Sequence, residues 1–263
     1  MGWARWQFQE QVQGREEVRV SHRFVQEASM TFGSVFGRTF SPTFQPSSQA
    51  AVAGGGWWDL SGTITSCVAA YQPKGAASYA ASLVDLSGNG NNAAEGTSPS
   101  WASETGWDFS GDAQLLVPYT GNIGAVIVFA KAAGAGGGDY GNYFNLNHAY
   151  TALIQINSNY VGNSINYDWD GTLLSNYFGG NIKVDHTVGM NLVAGTRVDT
   201  YFNGTDVGNI AKTAAINSDG LVIGNRYAAP SRYFGGYIYA IAFYSTGLTD
   251  TQMGNLHTAI AAL

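Results

Sequence analysis

From Trp57 onward the chain alternates short apolar runs with clusters of Gly, Asn, Asp and Ser, the rhythm of many short strands joined by tight turns. The segment AVIVFA, Ala125 to Ala130, is apolar throughout and predicts a strand covered on both faces. TALIQI alternates polar and apolar positions. In RVDTYFNGTDVG, Val198, Thr200 and Phe202 fall on one face, and Asn203-Gly204 supplies the two positive-φ residues of a type I′ hairpin turn. The run from Tyr237 to Tyr244 alternates again and predicts a late central strand. After it the period changes: Met253, Leu256 and Ile260 recur at spacings of three and four, the stripe of a short C-terminal helix. Thr249 is its N-cap, Gln252 completes a capping box, and Leu248 can staple onto Met253.

The first fifty residues read differently. Trp6, Phe8 and Val12, then Val18, Val20 and Phe24, recur at even spacing, and Phe32, Phe36, Phe40 and Phe44 stand at every fourth position. A spacing of four suits a helix face, but Gly33, Gly37 and Pro42 interrupt the run. Each glycine costs about 1 kcal/mol in a helix and the proline about 3 kcal/mol, relative to alanine. In an extended chain, positions four apart also share a side. The segment is therefore expected to be an extended arm with four rings pointing one way, covered by the rest of this chain or by a neighbouring molecule. The small-residue stretch SSQAAVAGGG then reads as a linker. The organisation expected is an assembly arm over residues 1–50, a linker over 51–56 and a β-rich domain over 57–263.

Composition narrows the partners. Of the 263 residues only 11% are charged and 35 are glycine, with a net charge of -6; no basic stripe is present to neutralise phosphates, so a nucleic-acid partner is not expected. A single cysteine, Cys67, excludes an internal disulfide framework. No run of apolar residues is long enough to span a membrane. The opening MGWARWQFQEQVQGREE has no apolar core of a secretory signal, which fits release inside a particle when a host cell lyses.

Two stretches carry more than periodicity. One holds Asp85-Leu86-Ser87-Gly88-Asn89-Gly90-Asn91-Asn92 followed by Trp107-Asp108-Phe109-Ser110-Gly111; the other is the tail LVIGNRYAAPSRYFGGYIYAIAFYSTGLTDTQMGNL. From Val68 to Leu263 the chain resembles the laminin-G-like branch of the concanavalin A-like superfamily. That branch has a D-x-S-G-N-G-N turn, a W-x-F-x-G strand, a Y-x-N-G hairpin and a late strand before a short L-(S/T)-D helix. The resemblance implies an all-β jelly-roll sandwich of two curved antiparallel sheets. The wording around AAYQPKGAASYAASLVDLSG also looks like domains encoded by tailed bacteriophages. Function has to be argued from the site, because this fold hosts carbohydrate binders, adhesion modules and hydrolases alike.

Catalytic signatures are missing. The hydrolase branch of the superfamily carries E-x-D-x-E on a strand, whereas the only glutamates past the linker are Glu95 and Glu104. G-x-S-x-G and H-E-x-x-H do not occur. Gly136 to Gly141 matches G-x-G-x-x-G, but a strand-like segment follows in place of the helix that a dinucleotide site requires. His22, His148, His186 and His257 show no ligand-type spacing.

Two candidate binding stretches remain. Asp85, in a turn rich in amide and backbone oxygens, can serve as a Ca²⁺ ligand, or the same residues can build the turn by side-chain to backbone bonds. Tyr167, Asp168, Trp169 and Asp170 place an aromatic ring between two carboxylates, a pattern for a glycan or calcium site in which a sugar stacks on the ring; alternation gives the rival account, in which Tyr167 and Trp169 enter the core and the aspartates face water. No cofactor is otherwise expected. The resulting expectation is a non-enzymatic virion structural protein, located on the virion surface, with copies of itself, other virion proteins and a host-surface glycan as partners. Its alternative is a carbohydrate-binding or adhesion module of a bacterial extracellular surface.

Overall fold

The computed structural model describes residues 55–133, 140–146, 152–157, 164–177, 181–226 and 232–263. The arm with Phe32, Phe36, Phe40 and Phe44, most of the linker, His22, His148 and Gly136 to Asp139 lie outside the described residues.

Among the described residues seventeen strands, numbered in chain order, form the sandwich. Eight make one sheet: β1 (Cys67–Tyr71), β3 (Ser100–Ala102), β4 (Gly106–Phe109), β7 (Ala125–Ala132), β12 (His186–Val193), β13 (Arg197–Phe202), β14 (Thr205–Ile210) and β17 (Gly236–Tyr244). Seven make the other: β2 (Ala94–Thr97), β5 (Gln114–Val117), β8 (Tyr140–Asn145), β9 (Ala152–Asn157), β10 (Ser164–Trp169), β11 (Thr172–Tyr177) and β16 (Leu221–Ile223). β6 (Gly121–Ile123) and β15 (Ile216–Ser218) pair on their own. The first sheet runs β14-β13-β12-β7-β17-β4-β3, with β1 also on β17, and the second β11-β10-β9-β8-β16-β5-β2. Every pairing between these strands is antiparallel. The chain is thus the all-β jelly-roll sandwich that the sequence resemblance implies.

The pleat explains how two layers arise from such short strands. Val126, Val128 and Ala130 of β7 enter the core between the sheets, while Ala125, Ile127 and Phe129 face a second apolar cluster on the outer side of the eight-stranded sheet. This is the doubly covered strand expected of AVIVFA. On β17 a bulge between Ile238 and Ala240 resets the alternation. Ile238, Ile241 and Phe243 therefore point inward, while Tyr237, Tyr239, Ala240, Ala242 and Tyr244 point outward. The outer cluster is roofed by helix α2 (Asp250–Ala261) and by Trp57 and Ile64. Thr249 and Gln252 form the reciprocal capping box, and Asn203 and Gly204 adopt φ of 48° and 75° in the β13-β14 turn. A short helix α1 (Tyr79–Ser82), capped by Ser78, precedes the Asp85 turn.

Asp85 is buried and saturated by backbone donors. Its Oδ1 accepts the N–H groups of Ala70 (3.0 Å) and Ser87 (2.9 Å), and its Oδ2 accepts that of Asn91 (3.0 Å). Asn91 and Asn89 in turn donate their side-chain amides to Val68 O (2.7 Å) and Cys67 O (2.8 Å). The turn is therefore sutured to β1, the turn account of these residues. A cation at the same carboxylate would face N–H donors, not oxygens. Asp85→Ala strands three N–H groups, each costing about 1–3 kcal/mol when buried. We expect at least about 3 kcal/mol of lost stability in urea denaturation, with partial recovery in Asp85→Asn.

Two buried histidines pack as neutral rings. His186 Nδ1 lies 2.9 Å from Val184 O, to which it donates, so its Nε2 accepts from Tyr143 Oη at 2.7 Å. His257, on the buried face of α2, meets Thr187 Oγ1 at 2.6 Å through Nδ1. Burial pushes both imidazoles from 6.5 down to about 4. Because the unfolded chain takes up these protons first, this stability is complete above about pH 6.5. It is lost progressively down to about pH 4, by up to about 3 kcal/mol for each ring. Denaturation midpoints measured across that window should fall steadily with acid, and His257→Gln should flatten the slope.

Candidate functional site

With the outer face of the eight-stranded sheet covered by α2, the seven-stranded sheet holds the candidate surface. Its strand β10, SINYDW, alternates without interruption. Ile165, Tyr167 and Trp169 belong to the core between the sheets, so Ser164, Asn166 and Asp168 take the opposite, outer face. Both aromatic rings of the sequence-level site are fully buried. Tyr167 Oη donates to Tyr201 O at 2.8 Å and Trp169 Nε1 to Ala214 O at 3.0 Å. The expected sugar stacking on Tyr167 and Trp169 is corrected here: the rings are core, because the pleat gives β10 one buried side and they occupy it. Asp168 and Asp170 do reach the outside.

Asp170 and Gly171 have φ of 51° and 70° and form the two-residue turn between Trp169 and Thr172, which are paired. Asp170 is thus first a turn residue, tolerated at positive φ for the reason that Asn203 is. Its Oδ2 lies 2.9 Å from Lys212 Nζ, an ion pair that with residues 213–217 lines a cavity of about 570 Å³. Lys212 to Asn217 therefore sit against the tip of the β10-β11 hairpin, over the Trp169 indole that donates to Ala214.

Cross-strand register shows which residues share the outer face with Asp168. Asn166 pairs with Gln155 and Gln155 with Asn142, a row of three amides across β10, β9 and β8. In the next row Asp168 lies between Leu173 and Leu153, Leu153 pairs with Asn145, and Asn145 with Val222. Strands about 4.8 Å apart and same-face residues about 7 Å apart put this set within the footprint of a mono- or disaccharide. Asn142, Asn145 and Asn166 form a buried floor, whereas Gln155 and Asp168 are half-buried and Leu173 is 47% exposed. The open side is the one toward the β10-β11 turn.

The electrostatics of the face are uneven. Neither Oδ1 nor Nδ2 of the fully buried Asn142 has a hydrogen-bond partner, and Asp168 Oδ1 is also sheltered without one. Buried polar atoms without a partner also occur away from this face, at Trp57 Nε1 and His257 Nε2, so what marks the face is the alignment of Asn142 with Gln155 and Asn166. Burial pushes the Asp168 carboxyl from 3.8 up to about 6, partly offset by the Gly171 N–H, then by Arg226; Asp170 acts in the raising direction and Lys212 against it. An amide supplies both donors and acceptors, a carboxylate supplies acceptors, and the leucines supply apolar contact. That is the chemistry of a hydroxyl-rich ligand with an aliphatic face. Among the described residues no group of three or more His, Cys, Asp or Glu is placed to hold a metal ion. No helix among them is long and apolar enough to cross a membrane.

Sequence reasoning found Asp168 but missed Asn142, Asn145, Gln155 and Asn166. The available signal was amides in place of charges at the outward positions of three successive strands, GNYFN, ALIQIN and SINYDW.

No protein-family model and no curated protein matches the sequence. Solved structures do. The chain is similar to domain 4 of AbnA, a GH43 extracellular arabinanase from Geobacillus stearothermophilus, solved in complex with arabinotriose. That match has 13% identity and a TM-score of 0.50, over 72% of this chain and 97% of that one. It is similar also to a botulinum neurotoxin type C structure, from a toxin described as depending on interaction with two ganglioside molecules to get into cells (13% identity, TM-score 0.55, 76% of this chain and 53% of that one). A third similar structure is the ligand-binding domain of botulinum neurotoxin serotype D in complex with N-acetylneuraminic acid (12% identity, TM-score 0.54, 74% and 51%). The match spans about half of each toxin chain. At these identities the likeness is one of fold, a β-sandwich of the kind used in binding domains.

Proposed function

We propose that the domain is a non-catalytic carbohydrate-binding β-sandwich that takes a glycan on the outer face of its seven-stranded sheet. The observation that carries this reading is Asn142: a fully buried amide with neither polar atom satisfied, in line with Gln155 and Asn166. Where the residues that cover Asn142 give way to a ligand, a hydroxyl can donate to the amide oxygen and accept from its nitrogen at once, which removes the desolvation penalty of both. Similar folds solved with arabinotriose and with N-acetylneuraminic acid support the same use of the architecture.

The setting follows from the sequence. The resemblance to phage-encoded domains, together with the four-ring arm, makes a virion surface the proposed location, with residues 1–50 as the assembly segment. A bacterial extracellular surface is the alternative. Replacing Phe32, Phe36, Phe40 and Phe44 together by Ser should convert an oligomer to a monomer in native mass spectrometry. A wild-type chain that is itself monomeric at high concentration would remove the assembly role.

The binding reading is tested on a glycan array with the full chain. Asn142→Leu, which replaces the unsatisfied amide by an apolar group of similar size, should leave the fold intact or stabilise it by about 1 kcal/mol. The same change should weaken glycan binding about tenfold, the equivalent of roughly 1.4 kcal/mol. Gln155→Ala should act in the same direction. Glycan binding indifferent to both substitutions, or none on any glycan, would sink the reading.

A further inference from the structure

We propose that Asp168 contacts the ligand directly, receiving a hydroxyl hydrogen bond at its unpartnered Oδ1, so that the site prefers uncharged glycans and releases them in acid. This rests on the glycan-binding reading above and assigns one residue within it.

The geometry singles out this carboxylate. Asp168 stands on the outer face of β10, two residues from Asn166 and on the same side, about 7 Å along the strand. Leu153 and Leu173 flank it across the neighbouring strands. Oδ1 is sheltered from water and has no protein donor, while the Gly171 N–H supports the group from the turn. The side chain is half-buried and Oδ1 has almost no exposed surface in the free protein, so a ligand meets it only as the residues around it give way. Asp85 is the contrast within the same chain, a buried carboxylate whose two oxygens take three backbone donors.

A sugar hydroxyl supplies what Oδ1 lacks. The O–H donates, no proton is transferred, and the bond to an ionised acceptor is about twice as strong as one between neutral groups. A ligand carboxylate at the same place would bring two negative charges together and is disfavoured. The charged groups that bear on Asp168 are Arg226, Asp170 and Lys212. Lys212 is engaged with Asp170 at 2.9 Å, so that pair adds no net charge to the face, and Arg226 offsets part of the Asp168 charge; the bias against an anion is local to Oδ1, which when ionised can only accept a hydrogen bond.

Acid sensitivity follows by linkage. In the free protein burial holds the carboxyl near 6. A donated hydrogen bond favours the ionised form, so the bound state has the lower value and binding expels a proton from any molecule already protonated. Affinity is then level above about pH 6 and declines by about tenfold for each unit below it. The sign for the free protein is the reverse of that for the histidines. With a folded value above the unfolded 3.8, Asp168 contributes stability only in acid and loses it as pH rises through about 6.

The test probes the full chain against an array of uncharged and sialylated oligosaccharides at about pH 7.5 and about pH 5. We expect wild type to favour uncharged glycans and to lose about tenfold in affinity at the lower pH. Asp168→Asn should bind more weakly at the higher pH and show no such loss. Without any glycan, Asp168→Asn should raise the Tm at about pH 7.5 and leave it unchanged near pH 3. Glycan binding that is flat with pH in wild type, an equal acid loss in Asp168→Asn, or preference for sialylated glycans overturns the role of Asp168 alone. Absence of glycan binding at both pH values overturns it together with the glycan-binding reading.

Discussion

The alternation of β10 against the core is the constraint on which the rest depends. Ile165, Tyr167 and Trp169 fill the space between the sheets, and a strand gives each residue only one of two directions. Once the rings are inside, Asn166 and Asp168 are outside. A slip of one residue would bury a carboxylate and two polar side chains in an apolar core and expose the rings, at a cost no local rearrangement can recover. The Tyr167 and Trp169 hydrogen bonds to Tyr201 O and Ala214 O then lock the register. The same indole that looks like a sugar platform in the sequence is what holds the true polar face in place.

The sandwich is unequal in a way that assigns roles to its two outer surfaces. The outer face of the eight-stranded sheet is apolar, with Ile127, Phe129, Tyr239 and Tyr244, and it needs the cover that α2 and the segment from Trp57 provide. The outer face of the seven-stranded sheet carries amides, a carboxylate and isolated aliphatics. Much of this face is buried as well, Asn142, Asn145, Asn166, Leu153 and Val222 included, but Gln155, Asp168 and Leu173 keep exposed surface that a ligand can share. The closing helix and the candidate site are in this sense complementary uses of the two sides of one fold.

Much of this was legible in the sequence, and the misses have a physical cause. The Asn203-Gly204 turn, the capping box at Thr249 and the doubly covered β7 are local: each is decided by a few adjacent residues. Asp170-Gly171 carries the same turn signature as Asn203-Gly204, yet its place beside an aromatic and a second aspartate suggests chemistry first. Alternation does predict that Trp169 and Asp168 part company, and the Trp169 ring lies in the core while Asp168 takes the outer face, half-buried. The amide row is different. It exists only through the register of β8, β9 and β10, and a pairing register between strands is not written in any one of them. The bulge that reverses β17 at Tyr239 is likewise invisible in a strand that alternates cleanly on paper. The phenylalanine ladder lies outside the described residues.

Polar groups in this domain fall into two classes with opposite consequences. Asp85, His186 and the Thr187-bonded face of His257 are buried and partnered, and they secure turns, strand contacts and the helix seat. Asn142 and Asp168 Oδ1 are sheltered and unpartnered, which makes them a cost to the free fold. Natural sequences tolerate such a cost at sites whose missing partner arrives with a ligand. The two classes also answer acid in opposite senses, since protonation opposes the packing of the histidines but relieves the desolvated carboxylate. A fold loosened and a site discharged over the same range of pH would act together on any bound glycan, one by weakening the scaffold and the other by removing the acceptor.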